Sequence, residues 1–456
     1  GYPFYFLSAL ATLPAKIIYR ADWLHHTDVI VMLLRQMINV GPMIVAAGLL
    51  TYIQTRFHDM YRSVGTFLFL MIMPAVVVNN LWWHPDSLAV LSVVLILFFL
   101  DRDRLRLGIN FFLAAAVCGV AVGIKYTGVF FGLSIPVYLI WAGISQKYSI
   151  RKVVIAALSF VGIMLLLVVI SNPLLLFPQE RAALIETQKL QFQQTSMGIL
   201  QTNPQSYFAT DYPEDFRNHY GELEFLMLAL AGLTVGMFFS KKRWYYAVLL
   251  AFIIPMMLTI NFSATRRTHY FLPVILPLVA CLTVIAPGKG ETEDENRVKS
   301  SKVIQYLTVG MVLYQAFLFY PRSEGFFIAA INKEKTSPSI AFYKEVSAAL
   351  PLGFDSQQRV IYRDWKVYFP PGGKYLTEMT WDMPTLDYIE SIHPDVILLE
   401  RENIDSFARP ETVQKAVNPG NMQSVHEFYL AAQEDQIAGY KMFYKNAFGM
   451  GFLKIQ

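Results

Sequence analysis

Apolar runs long enough to cross a bilayer follow one another through residues 1–320, and short polar linkers separate them. Because a helix needs about 20 apolar residues to cross the hydrocarbon core, this pattern predicts about eleven spans. The first run is short enough to lie in the membrane interface instead. The runs are 4–18, 29–55, 64–80, 85–100, 108–124, 127–145, 151–172, 221–239, 244–261, 268–286 and 302–320.

Residues 321–456 have the pattern of a globular domain in water. Helix-like stretches alternate with strand-like ones, which predicts a small α/β domain. The stretch PDVILLE (394–400) is apolar nearly throughout, so we expect a buried central strand there. The helix-like stretches are 338–350, 384–392 and 423–433, and the strand-like ones are 358–362, 394–399, 440–445 and 450–455.

The predicted fold class is therefore an α-helical polytopic membrane domain (1–320) followed by a small aqueous α/β domain (321–456). Composition agrees: 55% of the residues are hydrophobic and 16% are charged, whereas soluble proteins carry about 25% charged residues. Cys118 and Cys281 lie inside apolar runs, which excludes a disulfide framework. The net charge of +4 is small and gives no argument for a nucleic-acid partner.

Basic residues orient the spans, because Lys and Arg collect in cytoplasmic loops. They are concentrated in alternate linkers, namely 56–63, 101–107, 145–150, 240–243 and 287–301. The remaining linkers and the C-terminal domain are then non-cytoplasmic; these linkers are 19–28, 81–84, 125–126, 173–220 and 262–267. Within the outer loop 173–220, we expect an interfacial helix at 180–200 and an ordered loop at 203–222.

Ionisable residues at membrane level suggest function, and several lie at the outer ends of spans. Asp86 opens the helix 85–100 beside His84 and either caps that helix or presents a carboxylate to a substrate. Lys125 either snorkels from a helix end or binds a lipid-linked phosphate.

The stretch RRTHYF (266–271) opens a span from the outer side, against the positive-inside bias. A guanidinium group, such as that of Arg266 or Arg267, can bind two oxygens of one phosphate through two parallel hydrogen bonds. The alternative is a structural ion pair with acids of the 211–224 segment. Near the start of the chain, ADWLHHTD (21–28) holds Asp22, His25, His26 and Asp28. Their spacing matches no closed zinc site, so we expect solvated side chains there.

Five stretches, in order, resemble segments of the GT-C class of polytopic glycosyltransferases. The resemblance is nearest to the dolichyl-phosphate-mannose protein mannosyltransferases and the lipid A aminoarabinose transferases. It covers residues 1 to about 286. The stretches are GYPFYFLSALATLPAKI, NNLWWHPDSLAVLSVVL, GVAVGIKYTGVFF, SNPLLLFPQERAALIETQKLQF and RRTHYFLPVILPLVA.

The resemblance implies an integral protein of the bacterial inner membrane that moves a sugar from a polyprenyl-phosphate donor to an acceptor on the non-cytoplasmic face. Its partners would be that donor, membrane lipid and an acceptor that the sequence does not identify. Asp86 would be the catalytic carboxylate. The substrate-binding residues would be His84, Lys125, Tyr126, Arg266, Arg267, His269 and Tyr270. No residue is assigned as a metal ligand, and dependence on a divalent metal stays open.

Members of this class carry a catalytic acidic residue in the loop after their first span, and Gly1 begins after that point. We therefore expect one further span and this acid before Gly1, which has no initiator Met and no charged segment in front of it. The alternative is a non-catalytic GT-C-like subunit of a membrane complex. A transporter is less favoured, because the polar groups cluster on one side and no paired broken helices are visible.

Overall fold

The computed structural model describes residues 2–125, 127–197, 212–263, 267–286, 302–351, 354, 358–370, 375–378, 383–416 and 418–455. The chain divides into two compact units. The first comprises Gly1–Ile18, Asp28–Ser196 and Phe208–Phe327, and the second comprises Tyr19–Thr27, Met197–Tyr207 and Ile328–Gln456.

The first unit is helical throughout its described residues. Its helices are α1 (Tyr2–Tyr19), α2 (Thr27–Leu34), α3 (Gly41–Thr55), α4 (Met60–Ile72), α5 (Pro74–Asn80), α6 (Asp86–Asp103), α7 (Ile109–Ile124), α8 (Thr127–Gly132), α9 (Ile135–Ser145), α10 (Ile150–Ser171), α11 (Pro178–Met197), α12 (Tyr212–Tyr220), α13 (Leu223–Phe239), α14 (Arg243–Phe262) and α15 (Leu272–Ala280). Helix α16 (Lys302–Thr336) runs from the first unit into the second. A π-helix (Arg35–Val40) joins α2 to α3, and 3-10 helices occupy Pro173–Leu176, Thr268–Phe271 and Cys281–Val284. A further 3-10 helix, Arg20–His25, belongs to the second unit.

Fewer helices than the predicted eleven spans combine the length and the hydropathy of a membrane crossing. Among the described residues, five do so, or up to seven if each of two bent pairs counts as one span. The five are Thr27–Thr55, Thr127–Ser145, Ile150–Ser171, Arg243–Asn261 and Lys302–Ala349. The predicted runs 108–124 and 268–286 are shorter apolar helices, and α6 carries charged residues at both ends. Pro74 accounts for one bend, since α4 and α5 meet there at 61°.

Helix α6 is the centre of the first unit. Side chains on every face of it are buried, and it packs against α3 and α7. At its C-terminal end the buried carboxylate of Asp101 binds Lys242 Nζ at 2.9 Å and the guanidinium of Arg56. A charge buried at a helix end is tolerated only when it is paired, and here both cations come from neighbouring helix ends.

The second unit contains a five-stranded mixed sheet in the order β2-β1-β3-β5-β4. The strands are β1 (Arg359–Arg363), β2 (Tyr375–Glu378), β3 (Val396–Glu400), β4 (Tyr440–Lys445) and β5 (Gly449–Lys454). Its helices are α17 (Pro338–Ala349), α18 (Leu386–Ile392), α19 (Arg401–Phe407), α20 (Pro410–Gln414) and α21 (Pro419–Gln433). Strand β1 pairs in parallel with β2 and β3, and β5 pairs antiparallel with β3 and β4.

The predicted α/β character of this unit and its central strand are confirmed. Every residue of β3 is buried, and the strand is paired on both sides. The edge strand β2 was not predicted, because it is four residues long and has no clear alternation of apolar and polar positions.

One buried acid ties this sheet to its covering helices. Asp364 follows β1, and its carboxylate accepts hydrogen bonds from the Glu400 N–H (2.9 Å), Asn403 Nδ2 (3.0 Å) and the Tyr429 hydroxyl (3.0 Å). Burial nevertheless raises the pKa of Asp364 to about 6. The side chain therefore links β1, β3, α19 and α21 in the second unit.

Candidate functional site

The carboxylate of Asp86 lies at the centre of a polar cluster in the first unit. Asp86 is the first residue of α6, and 1% of its surface is exposed. Its side chain does not cap the helix, since Pro85 occupies the N-cap position and no side-chain hydrogen bond closes the helix start. The capping interpretation of Asp86 therefore does not hold, and both of its oxygens are available to other partners.

Lys125 reaches Asp86 from the end of α7. Its backbone leaves the helix in an extended conformation, while its N–H still donates to the carbonyl of Ala121 at 2.8 Å. The ammonium group donates to Asp86 Oδ1 and lies 4.6 Å from the ring centre of Tyr270, a cation–π contact. The Lys125 side chain remains 23% exposed. It is thus paired on one side and open to solvent on the other.

Two histidines complete the cluster. His84 Nδ1 hydrogen-bonds to Asp86 Oδ2, and His269 Nε2 lies 3.9 Å from the same oxygen. The two imidazole rings meet edge to face with their centres 4.9 Å apart. His269 Nε2 is buried and has no hydrogen-bond partner among the residues that the structure describes. A buried polar atom without a partner is costly, so this nitrogen is the atom of the cluster that a ligand would engage.

The same three side chains have the chemistry of a metal site. Among the described residues, His84, Asp86 and His269 place their ligand atoms within 4.8 Å of one another. Two imidazole nitrogens and one carboxylate oxygen are donors that Zn²⁺ accepts, and three protein ligands leave a fourth position open for water or substrate. The residues therefore fit a divalent metal, a dependence that the sequence analysis left open without assigning ligands.

The joint between α5 and α6, which carries His84, is fixed by side chains from both sides. Trp83 Nε1 donates to Ser8 Oγ at 3.0 Å, and its ring stacks on Phe4 with 5.2 Å between centres. Asn79 Nδ2 donates to Ser87 Oγ at 2.6 Å, which ties the end of α5 to the first turn of α6. The position of His84 is thus set by α1 as well as by the helices on either side of it.

A separate contact supports His269. The 3-10 helix Thr268–Phe271 carries this histidine, and the buried Tyr220 at the end of α12 donates its hydroxyl to the Thr268 carbonyl at 2.6 Å. The Tyr270 N–H donates to the Arg267 carbonyl at 3.0 Å and closes the same turn. The two histidines therefore reach Asp86 from segments that are braced independently.

The structure brings together most of the residues that the sequence singled out, namely His84, Asp86, Lys125, His269 and Tyr270. Two other predicted residues, Tyr126 and Arg266, lie outside the described residues.

Arg267 is exposed at the start of the same 3-10 helix. The acids proposed as its structural partners are engaged elsewhere. Glu222 Oε1 binds Arg322 Nη2 at 2.7 Å, and Asp215 pairs with His219 at 3.2 Å. Within the described part of the chain, no ion pair is found for Arg267.

Two further predicted segments, 180–200 and 21–28, lie outside the Asp86 cluster. The predicted interfacial segment at 180–200 is helical up to Met197, as α11. In the 21–28 segment, His26 Nε2 pairs with Asp22 Oδ2 at 3.3 Å and its ring stacks on Tyr19. No metal-ligand group forms there among the described residues.

Sequence reasoning missed the supporting side chains, above all Asn39 and Tyr220. Asn39 is a fully buried amide, and it donates to the His84 carbonyl at 3.1 Å. The available signal was that this amide is the one amide side chain in the apolar run 37–50, which follows Gln36. Tyr220 gave none, because aromatic residues are routine in such a segment.

The apolar helices and the fold are those of a polytopic membrane protein. The same fold is found in the crystal structure of ArnT from Cupriavidus metallidurans bound to undecaprenyl phosphate. The two chains are 11% identical, with a TM-score of 0.51 over 98% of this chain and 87% of that one. The predicted fold class is confirmed. No family model and no curated protein matches the sequence.

We predict that Asp86 and Lys125 are energetically coupled. Lys125→Met alone should destabilise the protein by about 3 kcal/mol, since it leaves the buried Asp86 carboxylate without its cation. Asp86→Asn alone should cost less, since the Lys125 ammonium keeps access to solvent. The double variant should cost less than the sum, with a coupling of about 1–3 kcal/mol. Unfolding by SDS titration in mixed micelles measures all four proteins. Strictly additive losses would show that the pair does not act as a unit.

We also predict that the cluster binds Zn²⁺. Protein purified in detergent and dialysed against Zn²⁺ should retain about one ion per chain, as expected for a three-ligand site. His269→Gln should lose that ion, whereas His58→Gln, which changes an exposed histidine outside the cluster, should keep it. Elemental analysis by mass spectrometry gives the stoichiometry. Equal zinc content in both variants would exclude His269 as a ligand.

Proposed function

We propose that the protein is a membrane glycosyltransferase that moves a sugar from a polyprenyl-phosphate donor to an acceptor on the non-cytoplasmic face. The observation that carries this proposal is the buried carboxylate of Asp86, which holds one lysine and two histidines at the ends of separate helices. The shared fold supports it, because the ArnT structure holds undecaprenyl phosphate, the carrier left after such a transfer.

Lys125 is the proposed phosphate ligand. An ammonium group is a compact point charge on a flexible stem, and here part of that stem is exposed while its head rests on Asp86. A donor phosphate would draw the ammonium away from Asp86 Oδ1. The Lys125 ammonium would then exchange one negatively charged partner, Asp86, for another, the phosphate. This exchange frees Asp86 Oδ1.

The freed oxygen gives Asp86 the role of general base. In the transfer, a hydroxyl or amine of the acceptor forms a bond to the anomeric carbon while the bond from that carbon to the phosphate oxygen breaks. The bonding pair leaves with the phosphate, and the acceptor proton passes to Asp86. Stabilising the departing phosphate is the main electrostatic task, which falls to Lys125 and Arg267, together with Arg266 as the sequence proposed.

His84 and His269 orient the carboxylate or take a metal ion. A divalent ion bound there would act as a Lewis acid toward an oxygen of the substrate. Without one, the His84 bond to Oδ2 fixes the plane of the carboxylate and directs Oδ1 toward Lys125 and the donor. Tyr270, whose ring lies beneath the ammonium, keeps Lys125 near the site when it leaves Asp86.

A non-catalytic subunit with the same fold is the alternative. It is favoured by the engagement of both Asp86 oxygens, which leaves neither oxygen of that carboxylate free to act as a base. A measurement of ligand binding distinguishes the two functions, because a non-catalytic scaffold has no need to bind a polyprenyl phosphate.

The proposed function predicts selective binding of undecaprenyl phosphate. Wild-type protein in detergent should bind it at least about tenfold more tightly than undecaprenol, since a single charge-assisted phosphate contact is worth that much. Lys125→Met should remove this preference. Lys152→Met is the matched control, because Lys152 also lies over a tyrosine ring, that of Tyr148, but at the start of α10. Equal binding of both lipids by the wild type would favour the scaffold.

The proposed orientation predicts opposite accessibility for two exposed positions. A cysteine at Arg104, just after α6, should react with a membrane-impermeant maleimide only from the cytoplasm, since this loop is basic. A cysteine at Gln414 in the second unit should react only from the other side. The native cysteines are buried and serve as the background. Labelling of both positions from one side of sealed vesicles would overturn the orientation.

A further inference from the structure

Asn39 is a buried amide that the proposed reaction does not use. It lies in the π-helix Arg35–Val40, between α2 and α3, with none of its surface exposed. π-Helical turns are rare and are found frequently at functional sites. The residues around it in the sequence are mostly apolar, so the amide needs an explanation.

The Asn39 amide bridges the two ends of the joint between α5 and α6. Its Nδ2 atom donates to the Asn79 carbonyl at 3.2 Å and to the His84 carbonyl at 3.1 Å. The contact with His84 is made to the backbone of the residue whose imidazole binds Asp86. By holding both ends of the joint between α5 and α6, Asn39 restricts where the His84 imidazole can lie.

The chemistry fixes which way the amide points. Both partners are carbonyl oxygens, which accept hydrogen bonds, so the NH₂ group must face them and the oxygen must face away. In this orientation Asn39 Oδ1 is buried and finds no hydrogen-bond partner in the described part of the chain. The cost of burying this unpaired oxygen offsets much of the free energy that the two donated hydrogen bonds contribute to folding. A gain in overall stability therefore does not explain why an asparagine lies here.

We propose that Asn39 is a positioning residue of the Asp86 site, which holds the His84 backbone so that its imidazole meets the carboxylate. The consequence for phosphate binding rests on the proposed function, whereas the effect on His84 does not. If the two bonds are removed, the joint gains freedom and the imidazole leaves Asp86 for part of the time. Oδ2 then loses its partner, and the carboxylate no longer directs Oδ1 toward Lys125.

The reactivity of His84 tests this directly. Diethyl pyrocarbonate modifies accessible imidazoles, and peptide mass spectrometry gives the rate at each histidine, with EDTA present to remove metal. Asn39→Leu should raise the rate at His84 by about threefold or more, because local opening exposes the ring. The rate at the exposed His58, which lies in the loop after α3, serves as the internal reference. Asn39→Ala removes the same donors with less bulk and replaces the leucine variant if that one fails to fold.

Gln54→Leu is the matched control. Gln54 is equally buried in α3, and its amide contacts are to Tyr245, Tyr246 and Thr283 rather than to the site. This variant should leave the His84 rate unchanged. An unchanged rate in both Asn39 variants, or an equal rise in the Gln54 variant, would overturn the proposal.

Binding of undecaprenyl phosphate is measured on the same proteins. Asn39→Leu should weaken it by about fivefold, as expected when a preorganised site is loosened, and Gln54→Leu should not. A wild-type protein that binds undecaprenol equally well would refute the proposed function while the reactivity result still decides the role of Asn39. Faster modification of His84 together with normal binding of undecaprenyl phosphate would confirm that Asn39 positions His84. It would also show that His84 does not contribute to the phosphate contact.

Discussion

The negative charge of Asp86, buried at the start of α6, is the constraint around which one end of the first unit is arranged. A carboxylate removed from water must find cations and hydrogen-bond donors close by, or the fold that buries it is not stable. The end of α7 supplies Lys125, the joint before α6 supplies His84, and the 3-10 helix Thr268–Phe271 supplies His269. The need to satisfy one charge thus brings together segments that are distant in the chain.

The two ends of α6 use the same interaction for different purposes. At the C-terminal end, Asp101 is paired with Lys242 and Arg56, whose side chains are 7% and 16% exposed. At the N-terminal end, the partners of Asp86 are more open, with Lys125 at 23% and His84 at 33%. The first cluster has the character of a structural tie between helix ends. The second keeps the partners of its carboxylate within reach of solvent, which a purely structural pair does not require.

The kind of fold and most residues of the site could be predicted from the sequence. Which of these side chains bind one another could not. Hydrophobic patterning predicted the helical unit and the buried strand β3, because both depend on local periodicity. It could not predict that Asp86 binds Lys125 instead of capping α6, since that choice is made by the packing of α6 against α7. Asn39 was missed for the same reason: its role depends on a carbonyl in another helix joint, which no local pattern encodes.

Under the proposed function Lys125 must leave Asp86 for the donor phosphate, and a lysine suits that exchange better than an arginine. A guanidinium would bind the Asp86 carboxylate through two parallel bonds, a geometry that is strong and slow to exchange. An ammonium group makes a single point contact and rotates freely about its stem, so a phosphate can compete for it. The Tyr270 ring beneath it supplies a weaker second contact that has no preferred direction around the charge. With Asn39 and Tyr220 bracing the segments that carry the histidines, Lys125 is the one partner of Asp86 whose side chain has both the length and the solvent access to leave it.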